Sequence, residues 1–206
     1  PIYSTFLQRA YDQIINDLCI NNSNALILVY RASIYGNKDM THLGFNDITM
    51  LGNMPNLMYL APTTVEELES SIRYGLEDHN HPIAIRIPVG VPINDTAQSD
   101  TIDKPVTSYA VTQSGNTIAI IGIGNFYHKA VELSHAIRET THISPTIIKP
   151  LCISSLDTDT LNELTKDHHI VITLEDGELE GGYGQKIASY YGKTSMKVLN
   201  YGISKQ

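Results

Sequence analysis

The sequence predicts an α/β protein built from two modules with mainly parallel sheets. Short apolar runs of strand length alternate with amphipathic stretches of helix length, which is the pattern of strand–helix–strand units with right-handed crossovers. The alternation stops in a polar, proline-containing stretch at residues 89–107 and then resumes. A chain of 206 residues is long enough for two small domains. We therefore expect a first module over residues 1–88, a linker over 89–107 and a second module over 108–206.

The first module begins with a predicted helix and continues with strands. Apolar residues between positions 3 and 19 recur three and four residues apart, which predicts an amphipathic helix capped by Ser4 or Thr5. Thr64 with Glu67 three residues later forms a capping box that predicts the start of another helix. The strands are predicted from apolar runs at 25–29, 56–62 and 82–88.

The second module begins with "SYAVTQSGNTIAIIGIG", which predicts a hairpin that turns at residues 114–116. Its second strand leads into a helix over residues 126–140, which Asn125 would cap. The later segments alternate as strand, helix, strand, helix and strand, in the order "PTIIKPL", "DTDTLNELTKDH", "IVITLED", "GGYGQKIASYYG" and "SMKVLNYG". The glycines at 181–184 predict a helix-entry turn where backbones approach closely.

A dinucleotide site is not favoured by the one glycine motif that follows a strand. The motif "GIGNFY" has Tyr127 in place of the third glycine of the fingerprint, and Lys149 stands where the next strand would end on an acidic residue. A tight strand-to-helix turn explains these glycines better.

Composition excludes several other classes of protein. The formal net charge of −8 argues against a general nucleic-acid binder. The sequence has no apolar run of the ~20 residues that a membrane helix needs and no visible signal peptide, so we expect no membrane partner and a location in the cytoplasm. Cys19 and Cys152 are interpreted as buried thiols in a reducing compartment. Because the chain starts at Pro1 rather than Met, we expect it to be part of a longer product.

A family resemblance emerges from several blocks that occur in order. These are "YSTFLQRAYDQ", a strand ending in "RA", "THLGFND", "PNLMYLAPTTVEEL" and "IAIRIP", followed by "VITLEDGELEGGYG" and "VLNYG". Together they resemble the C-terminal portion of 1-deoxy-D-xylulose-5-phosphate synthases, which are transketolase-like thiamine diphosphate enzymes. The resemblance implies a pyrimidine-binding domain that is incomplete at its N-terminus, then the family's C-terminal domain.

The resemblance also implies a reaction and an assembly. In the family, pyruvate adds to the cofactor and loses carbon dioxide, and the remaining two-carbon unit joins glyceraldehyde 3-phosphate, a step in isoprenoid precursor synthesis. The complete enzyme would use thiamine diphosphate and Mg²⁺ and would be a homodimer.

Five residues match the family's site. The resemblance implies that Phe6 stacks on the aminopyrimidine of the cofactor, with Tyr3 and Arg9 lining the same cleft. His42 would donate and accept a proton near the aldehyde oxygen, which suits an imidazole at neutral pH. Arg31 would bind the substrate phosphate through its planar guanidinium. On pattern alone, Phe6 would be a core residue, the two arginines solvated charges and His42 a surface histidine.

The sequence departs from the family at three positions close to this site. Lys38 stands where the family has aspartate and Asp39 where it has glycine, which reverses the local charge beside His42. Val89 stands where a second phosphate-binding arginine is expected. Asp47 is interpreted as a cap for the turn that follows it.

The parts of the family's site that hold the diphosphate do not occur in these 206 residues. The sequence has no Gly-Asp-Gly motif for Mg²⁺, and the family's activating glutamate would precede its first residue. We therefore expect the chain alone to bind no cofactor and to be inactive, with the diphosphate-binding domain supplied in cis or by a partner chain. Two alternatives stay open, namely a subunit of a split transketolase or 2-oxoacid dehydrogenase, and a non-catalytic paralogue that serves as an interaction module.

Overall fold

The computed structural model describes residues 1–34, 40–77, 79–90 and 106–204. These residues form two sheets with associated helices, which confirms the predicted pair of α/β modules. The first sheet has strands β1 (Ile2–Tyr3), β2 (Leu26–Tyr30), β3 (Met58–Leu60) and β4 (Ile83–Arg86). Its order is β1-β2-β4-β3 and all of its neighbouring strands are parallel.

The helices of the first module are shorter and less regular than the sequence pattern predicts. They are α1 (Ser4–Leu7), a 3₁₀ turn (Gln8–Ala10), α2 (Tyr11–Gln13), a π-helical segment (Ile14–Cys19), a 3₁₀ turn (Met40–His42), α3 (Asp47–Leu51) and α4 (Val65–Leu76). The predicted amphipathic face is nevertheless present, because Leu7, Ile14 and Cys19 are all buried in the main core.

The prediction that Ser4 or Thr5 caps the first helix was wrong. Tyr3 occupies the N-cap position. The Ser4 hydroxyl instead donates to the carbonyl of Gly44 at 2.9 Å, and the Thr5 hydroxyl donates to the carbonyl of Thr41 at 3.3 Å. A loop distant in sequence therefore takes the two hydroxyls that a local cap would have used.

The cap of α4 is confirmed, but only half of the expected capping box forms. The Thr64 hydroxyl accepts from the backbone N–H of Glu67 at 3.1 Å. The Glu67 carboxylate turns to Thr63, whose N–H and hydroxyl both donate to it at 2.8 Å. Its other oxygen lies 2.6 Å from the Lys149 ammonium, so this helix start is tied to the second module.

The second sheet has the order β5-β7-β6-β8-β9. Its strands are β5 (Ala110–Gln113), β6 (Thr117–Gly122), β7 (Thr146–Lys149), β8 (His168–Glu178) and β9 (Lys197–Ile203), and its helices are a 3₁₀ turn (Gly124–Phe126), α5 (Tyr127–Thr141), α6 (Thr158–Leu164) and α7 (Tyr183–Tyr191). Strand β5 is antiparallel to its neighbour, and the other pairings are parallel.

The predicted hairpin was wrong, because β5 pairs with β7 and β6 lies on the far side of β7. The turn between β5 and β6 crosses the start of β7 at very short range. The N–H of Gly115 donates to the Thr146 hydroxyl at 2.9 Å, and a Cβ at Gly115 would lie 2.0 Å from the carbonyl oxygen of Ser144. Glycine is therefore required here for backbone proximity rather than for a hairpin turn.

The glycine-rich entry to α7 is confirmed as a point of close backbone approach. Gly182 is the N-cap of α7, and a Cβ there would lie 2.2 Å from the carbonyl oxygen of Glu178. The buried carboxylate of Glu175 accepts from the N–H groups of Tyr183 and Gly184 at 2.9 and 2.8 Å. Burial raises the pKa of Glu175, and these two backbone donors oppose that shift.

The two modules are joined by backbone pairing as well as by side chains. The N–H of Ala61 donates to the Leu151 carbonyl, and the N–H of Ile153 donates to the Tyr59 carbonyl, both at 2.8 Å. These bonds flank an antiparallel bridge between Leu60 and Cys152. The outer edge of β3 is thus covered by the second module. Residues 91–105 of the predicted linker lie outside the described residues, and its boundaries remain a prediction.

The predicted burial of the two cysteines is confirmed. Cys19 and Cys152 are both buried free thiols. Across residues 1–34, 40–77, 79–90 and 106–204, no helix combines the length and apolar character needed to cross a membrane.

An ionic cluster lies at the junction of the modules and is centred on Arg86, whose side chain is 2% exposed. Its Nε donates to Asp47 Oδ2 at 2.7 Å, and its Nη1 donates to Asp176 Oδ1 at 2.5 Å. Asp47 also accepts from the Tyr59 hydroxyl. The interpretation of Asp47 as a turn cap was wrong, since Asn46 holds the N-cap position of α3 and the Asp47 carboxylate points into the core.

The electrostatics of this cluster favour a charged guanidinium. Burial alone lowers the pKa of Arg86, but the carboxylates of Asp176 and Asp47 outweigh it and hold the pKa above its usual value. Burial and Asp47 together raise the pKa of Tyr59, so its hydroxyl stays a donor. One cation faces two buried carboxylates, and neutral donors such as Tyr59 supply the remaining hydrogen bonds.

We predict that Arg86→Met lowers the free energy of unfolding by about 3–5 kcal/mol, because it leaves two buried carboxylates without their cation. Urea unfolding of this chain, followed by circular dichroism, measures the change. Lys129→Met is the matched control, since the pair of Lys129 with Glu132 has side chains 61% and 65% exposed and is worth under ~1 kcal/mol. Equal unfolding midpoints for the two variants would contradict the prediction.

Candidate active site

The candidate site lies at the carboxyl edge of the first sheet, where parallel strands present their following loops together. Tyr3 at the end of β1 pairs with Tyr30 at the end of β2. Phe6 follows β1 within α1, and Arg31 directly follows β2. The sheet topology thus brings two segments that are distant in sequence to one edge.

Ring contacts join the five sequence-predicted site residues into one cluster. The rings of Tyr3 and Phe6 are stacked, with centroids 5.8 Å apart and planes inclined by 19°. The Phe6 and His42 rings meet edge to face at 5.3 Å. The Arg9 Cζ lies 5.8 Å from the Phe6 centroid, and the Arg31 Cζ lies 4.9 Å from the Tyr3 centroid. Each arginine is therefore within cation–π range of one ring, Arg9 of Phe6 and Arg31 of Tyr3.

Phe6 and Tyr3 present their rings to solvent, with exposed fractions of 37% and 40%. The pattern-based interpretation of Phe6 as a core residue therefore does not describe this fold. A large apolar ring that stays exposed beside charged groups is available for a ligand, whereas a core ring is not.

The loop that carries His42 is held against the segment after β2. Ser33 and Gly44 form an antiparallel bridge, and a Cβ at Gly44 would lie 1.8 Å from the carbonyl oxygen of Arg31. The Thr41 hydroxyl lies 2.9 Å from His42 Nδ1 and restrains the imidazole. Together with the Ser4 bond to Gly44, these contacts fix the histidine over the first helical turn.

The backbone after β2 adopts unusual dihedrals at two non-glycine residues. Arg31 has φ of 51° and Ser33 has φ of 91°. Such conformations cost about 1–3 kcal/mol each and persist where the surroundings enforce them, often at functional sites. Here the bridge to Gly44 is the enforcing contact, and its result is that Arg31 faces the aromatic cluster.

Of the positions that depart from the family pattern, only Val89 is described. Lys38 and Asp39 lie outside the described residues. Val89 follows β4, the neighbour of β2, and its N–H donates to the side-chain oxygen of Asn125 at 3.0 Å. The prediction that Asn125 caps α5 was wrong, because Phe126 is the N-cap of that helix. The side-chain N–H of Asn125 instead donates to Asp176 at 3.1 Å.

The sequence reasoning missed the ionic cluster at the domain junction and the amide side chain that contacts it. Asp47, Arg86, Asp176 and Asn125 have no roles that local spacing reveals, because their partners lie 36–90 residues away. The one available signal was an arginine in the middle of the apolar run "IAIRIP", since a charge at a strand position of this kind requires buried partners.

The cluster fits the aminopyrimidine half of thiamine diphosphate, which needs an exposed aromatic face with polar groups at its rim. The diphosphate half needs Mg²⁺. Within the described parts of the chain, no group of three or more histidine, cysteine, aspartate or glutamate side chains is placed to hold a metal ion.

Two family models match the chain over most of its length. Residues 1–91 match the transketolase pyrimidine-binding domain, and residues 108–204 match the transketolase C-terminal domain.

Curated relatives with similar sequences carry a common name. The chain is 35% identical over 194 residues to the 1-deoxy-D-xylulose-5-phosphate synthase of Clostridium perfringens (strain SM101 / Type A), covering 92% of this chain and 30% of the relative. It is 36% identical over 186 residues to the enzyme of that name from Alkaliphilus oremlandii, covering 89% of this chain and 29% of the relative. The chain thus spans less than a third of the length of these relatives.

Solved structures of related fold include two transketolases. One is a split gene transketolase described as an inactive beta4 tetramer, where beta4 is part of its name and not a strand label. It superposes with a TM-score of 0.85 at 20% identity, and the match covers 98% of this chain and 65% of the other chain. A transketolase variant from Pichia stipitis gives a TM-score of 0.73 at 15% identity, covering 98% of this chain and 29% of its own. The two sheets of the structure correspond to the two matched domains, and these occur in the same order along the chain. The chain belongs to the transketolase family, with a pyrimidine-binding domain over residues 1–91 followed by a C-terminal domain over residues 108–204.

Proposed function

We propose that this chain supplies the pyrimidine-binding and C-terminal domains of a thiamine diphosphate-dependent transferase of the 1-deoxy-D-xylulose-5-phosphate synthase type. The observation that carries the proposal is the exposed cluster of Phe6 with Tyr3, Arg9, Arg31 and His42. The sequence similarity to the named synthases supports the choice of reaction, which joins a two-carbon unit from pyruvate to glyceraldehyde 3-phosphate.

Thiamine diphosphate supplies the electron sink that lets pyruvate lose carbon dioxide and form a new carbon–carbon bond. The Phe6 ring binds one face of the aminopyrimidine by stacking and keeps water from it. Tyr3 packs along the Phe6 ring and limits its rotation. Arg9, beside the same ring, adds a positive charge to that side of the cleft.

His42 and Arg31 act on the acceptor aldehyde. His42 donates a proton to the aldehyde oxygen as negative charge develops there, and this proton stays in the new hydroxyl of the product. The imidazole takes up another proton from water before the next cycle, which balances the one proton that each turnover consumes. Arg31 binds the acceptor's phosphate by charge-assisted hydrogen bonds. The edge-to-face contact of His42 with Phe6 keeps the proton donor next to the ring that holds the cofactor.

The diphosphate and its Mg²⁺ are held by a domain that carries a Gly-Asp-Gly motif, which these 206 residues do not contain. We place that domain in cis in a longer product or on a partner chain, within a homodimeric assembly in the cytoplasm. The two-chain form is the second candidate, because one solved structure of similar fold is a split gene transketolase. Adding the diphosphate-binding domain as a separate polypeptide distinguishes a chain that works in trans from one that must be fused.

We predict that the 206-residue chain alone releases no carbon dioxide from labelled pyruvate when thiamine diphosphate, Mg²⁺ and glyceraldehyde 3-phosphate are supplied. The physical reason is that the diphosphate has lost its metal anchor. Adding a fragment that carries the diphosphate-binding domain of a relative is expected to restore release. The control is the same mixture without thiamine diphosphate. Release by the chain alone, above a blank without protein, would disprove this prediction.

In the restored assembly, we expect Phe6→Ala to weaken cofactor binding about tenfold, because stacking on an aromatic ring is worth ~0.5–1.5 kcal/mol beyond its buried area. His42→Ala is expected to lower kcat by roughly 10²–10⁴-fold while the cofactor Kd stays within twofold. Tyr11→Ala is the matched control, since Tyr11 is another exposed aromatic of the same helical segment, 40% exposed. A non-catalytic module would show no difference among the three variants.

We expect Val89→Arg to lower the KM for a phosphorylated aldehyde by about 10–100-fold, because a charge-assisted contact is worth ~1.5–3 kcal/mol. The KM for the same aldehyde without phosphate should stay the same. Val111→Arg is the control, as an exposed valine of the second sheet, 45% exposed. An unchanged KM in both variants would count against a phosphorylated acceptor near residue 89.

A further inference from the structure

The segment that follows β4, residues 87–90, forms one hydrogen bond with each of the two domains. The N–H of Ile87 donates to the Val29 carbonyl at 2.9 Å, which continues the ladder of the first sheet. The N–H of Val89 donates to Asn125 Oδ1 at 3.0 Å, and Asn125 belongs to the second domain. The first sheet therefore fixes where the segment starts, and the second domain fixes residue 89.

Asn125 is itself firmly placed. It lies in the 3₁₀ turn after β6, which is closed by the N–H of Phe126 donating to the Ile123 carbonyl at 2.9 Å. Gly124, with φ of 52°, lets this turn approach Arg86, because a Cβ there would lie 3.2 Å from Arg86 Nη1. Asn125 Nδ2 donates to Asp176 Oδ2 at 3.1 Å, so the two ends of the amide each have a complementary partner.

These contacts form a closed ring. Asp176 accepts from Arg86 through Oδ1 and from Asn125 through Oδ2. Arg86 and Val89, three residues apart in the chain, are thus both held by the same carboxylate of the second domain, one directly and the other through Asn125. A ring of this kind constrains the backbone between its two attachment points more than either bond does alone.

We propose that Asn125 is a positioning residue through which the second domain sets the place of residue 89 at the carboxyl edge of the first sheet. Residue 89 follows β4, which pairs with β2, and β2 ends immediately before Arg31. Under the proposed function, on which this part of the inference rests, that edge receives the acceptor aldehyde. Asn125 then tunes acceptor recognition without touching the acceptor.

Two substitutions test the carbonyl oxygen and the amino group of the Asn125 side chain separately. Asn125→Leu keeps the branched shape of the side chain and removes both hydrogen bonds. Asn125→Asp keeps an oxygen that accepts from the Val89 N–H and replaces the donor to Asp176 with a second carboxylate. If Asn125 acts by holding residue 89, the leucine variant releases that N–H and the aspartate variant retains it.

Amide hydrogen exchange measured by NMR on this chain tests the placement directly. In Asn125→Leu we expect the Val89 amide to exchange about tenfold faster, because its acceptor is lost, while the Ile87 amide stays within twofold. In Asn125→Asp we expect the Val89 amide to exchange at a rate between those of the unaltered chain and Asn125→Leu, because the acceptor stays but the bond to Asp176 is lost, while the Ile87 amide again stays within twofold. Asn162→Leu is the control, since its side chain accepts from Tyr190 on the surface of the second domain. An unprotected Val89 amide in the unaltered chain, or equal loss of protection at Val89 and Ile87, would overturn the proposal.

Kinetics of the assembly restored with a diphosphate-binding domain test the consequence. Asn125→Leu is expected to raise the KM for the acceptor aldehyde at least fivefold while kcat and the KM for pyruvate stay within twofold. A fall in kcat with both KM values unchanged would indicate a general structural role and would refute acceptor tuning. If the unaltered assembly has no turnover, the proposed function fails, and the exchange measurement still decides whether Asn125 positions residue 89.

Discussion

The arrangement of the two domains depends on the buried guanidinium of Arg86. It comes from the last residue of β4 and meets one carboxylate from each domain, Asp47 and Asp176. Removing these charges from water is costly, and only close, well-directed hydrogen bonds offset that cost. Apolar surfaces tolerate sliding, but ion pairs of this geometry do not. The cluster therefore selects one relative placement of the domains, even if its net contribution to stability is small.

The exposed aromatic cluster has a separate support. The first helical segment changes between α, 3₁₀ and π geometry, and its early hydroxyls bind the 40–44 loop instead of their own helix. Residue 33 and Gly44 bridge across the same place, and the unusual backbone of Arg31 is held there. The site is thus built on short-range contacts at the edge of one sheet, whereas the domain junction is built on charges in the interior. Asn125 contacts both Asp176 at the domain junction and the segment that follows β4.

Sequence reasoning succeeded wherever the determining contacts are local or the residue order is distinctive. Strand and helix periodicity identified both modules, and the Thr64 cap was correct. The five residues that the family resemblance selected lie in one aromatic cluster, and their roles stay predictions. It failed where a local signal had a distant competitor. A polar residue next to a helix start looks like a cap, yet the side chain of Asp47 binds Arg86 of β4 and that of Asn125 binds Asp176 of β8. Strands β5 and β6 are joined by a short glycine turn and so look like a hairpin, yet β7 lies between them. Strand β6 pairs in parallel with β7 and β8, and this pairing depends on the whole sheet. Neither choice is encoded within a window of ten residues.

The pairing of Leu60 with Cys152 also has a consequence during synthesis. Strand β3 forms the outer edge of the first sheet, and an uncovered edge is a template for strands of other molecules. When a ribosome has completed β4, the four strands described for the first sheet have been made, but the segment that shields the β3 edge is still untranslated. The nascent chain is then exposed to association with neighbouring copies on a polysome until residues 151–153 emerge. A chaperone that binds extended backbone would be most useful during that interval, and crowding of ribosomes would make the interval more hazardous.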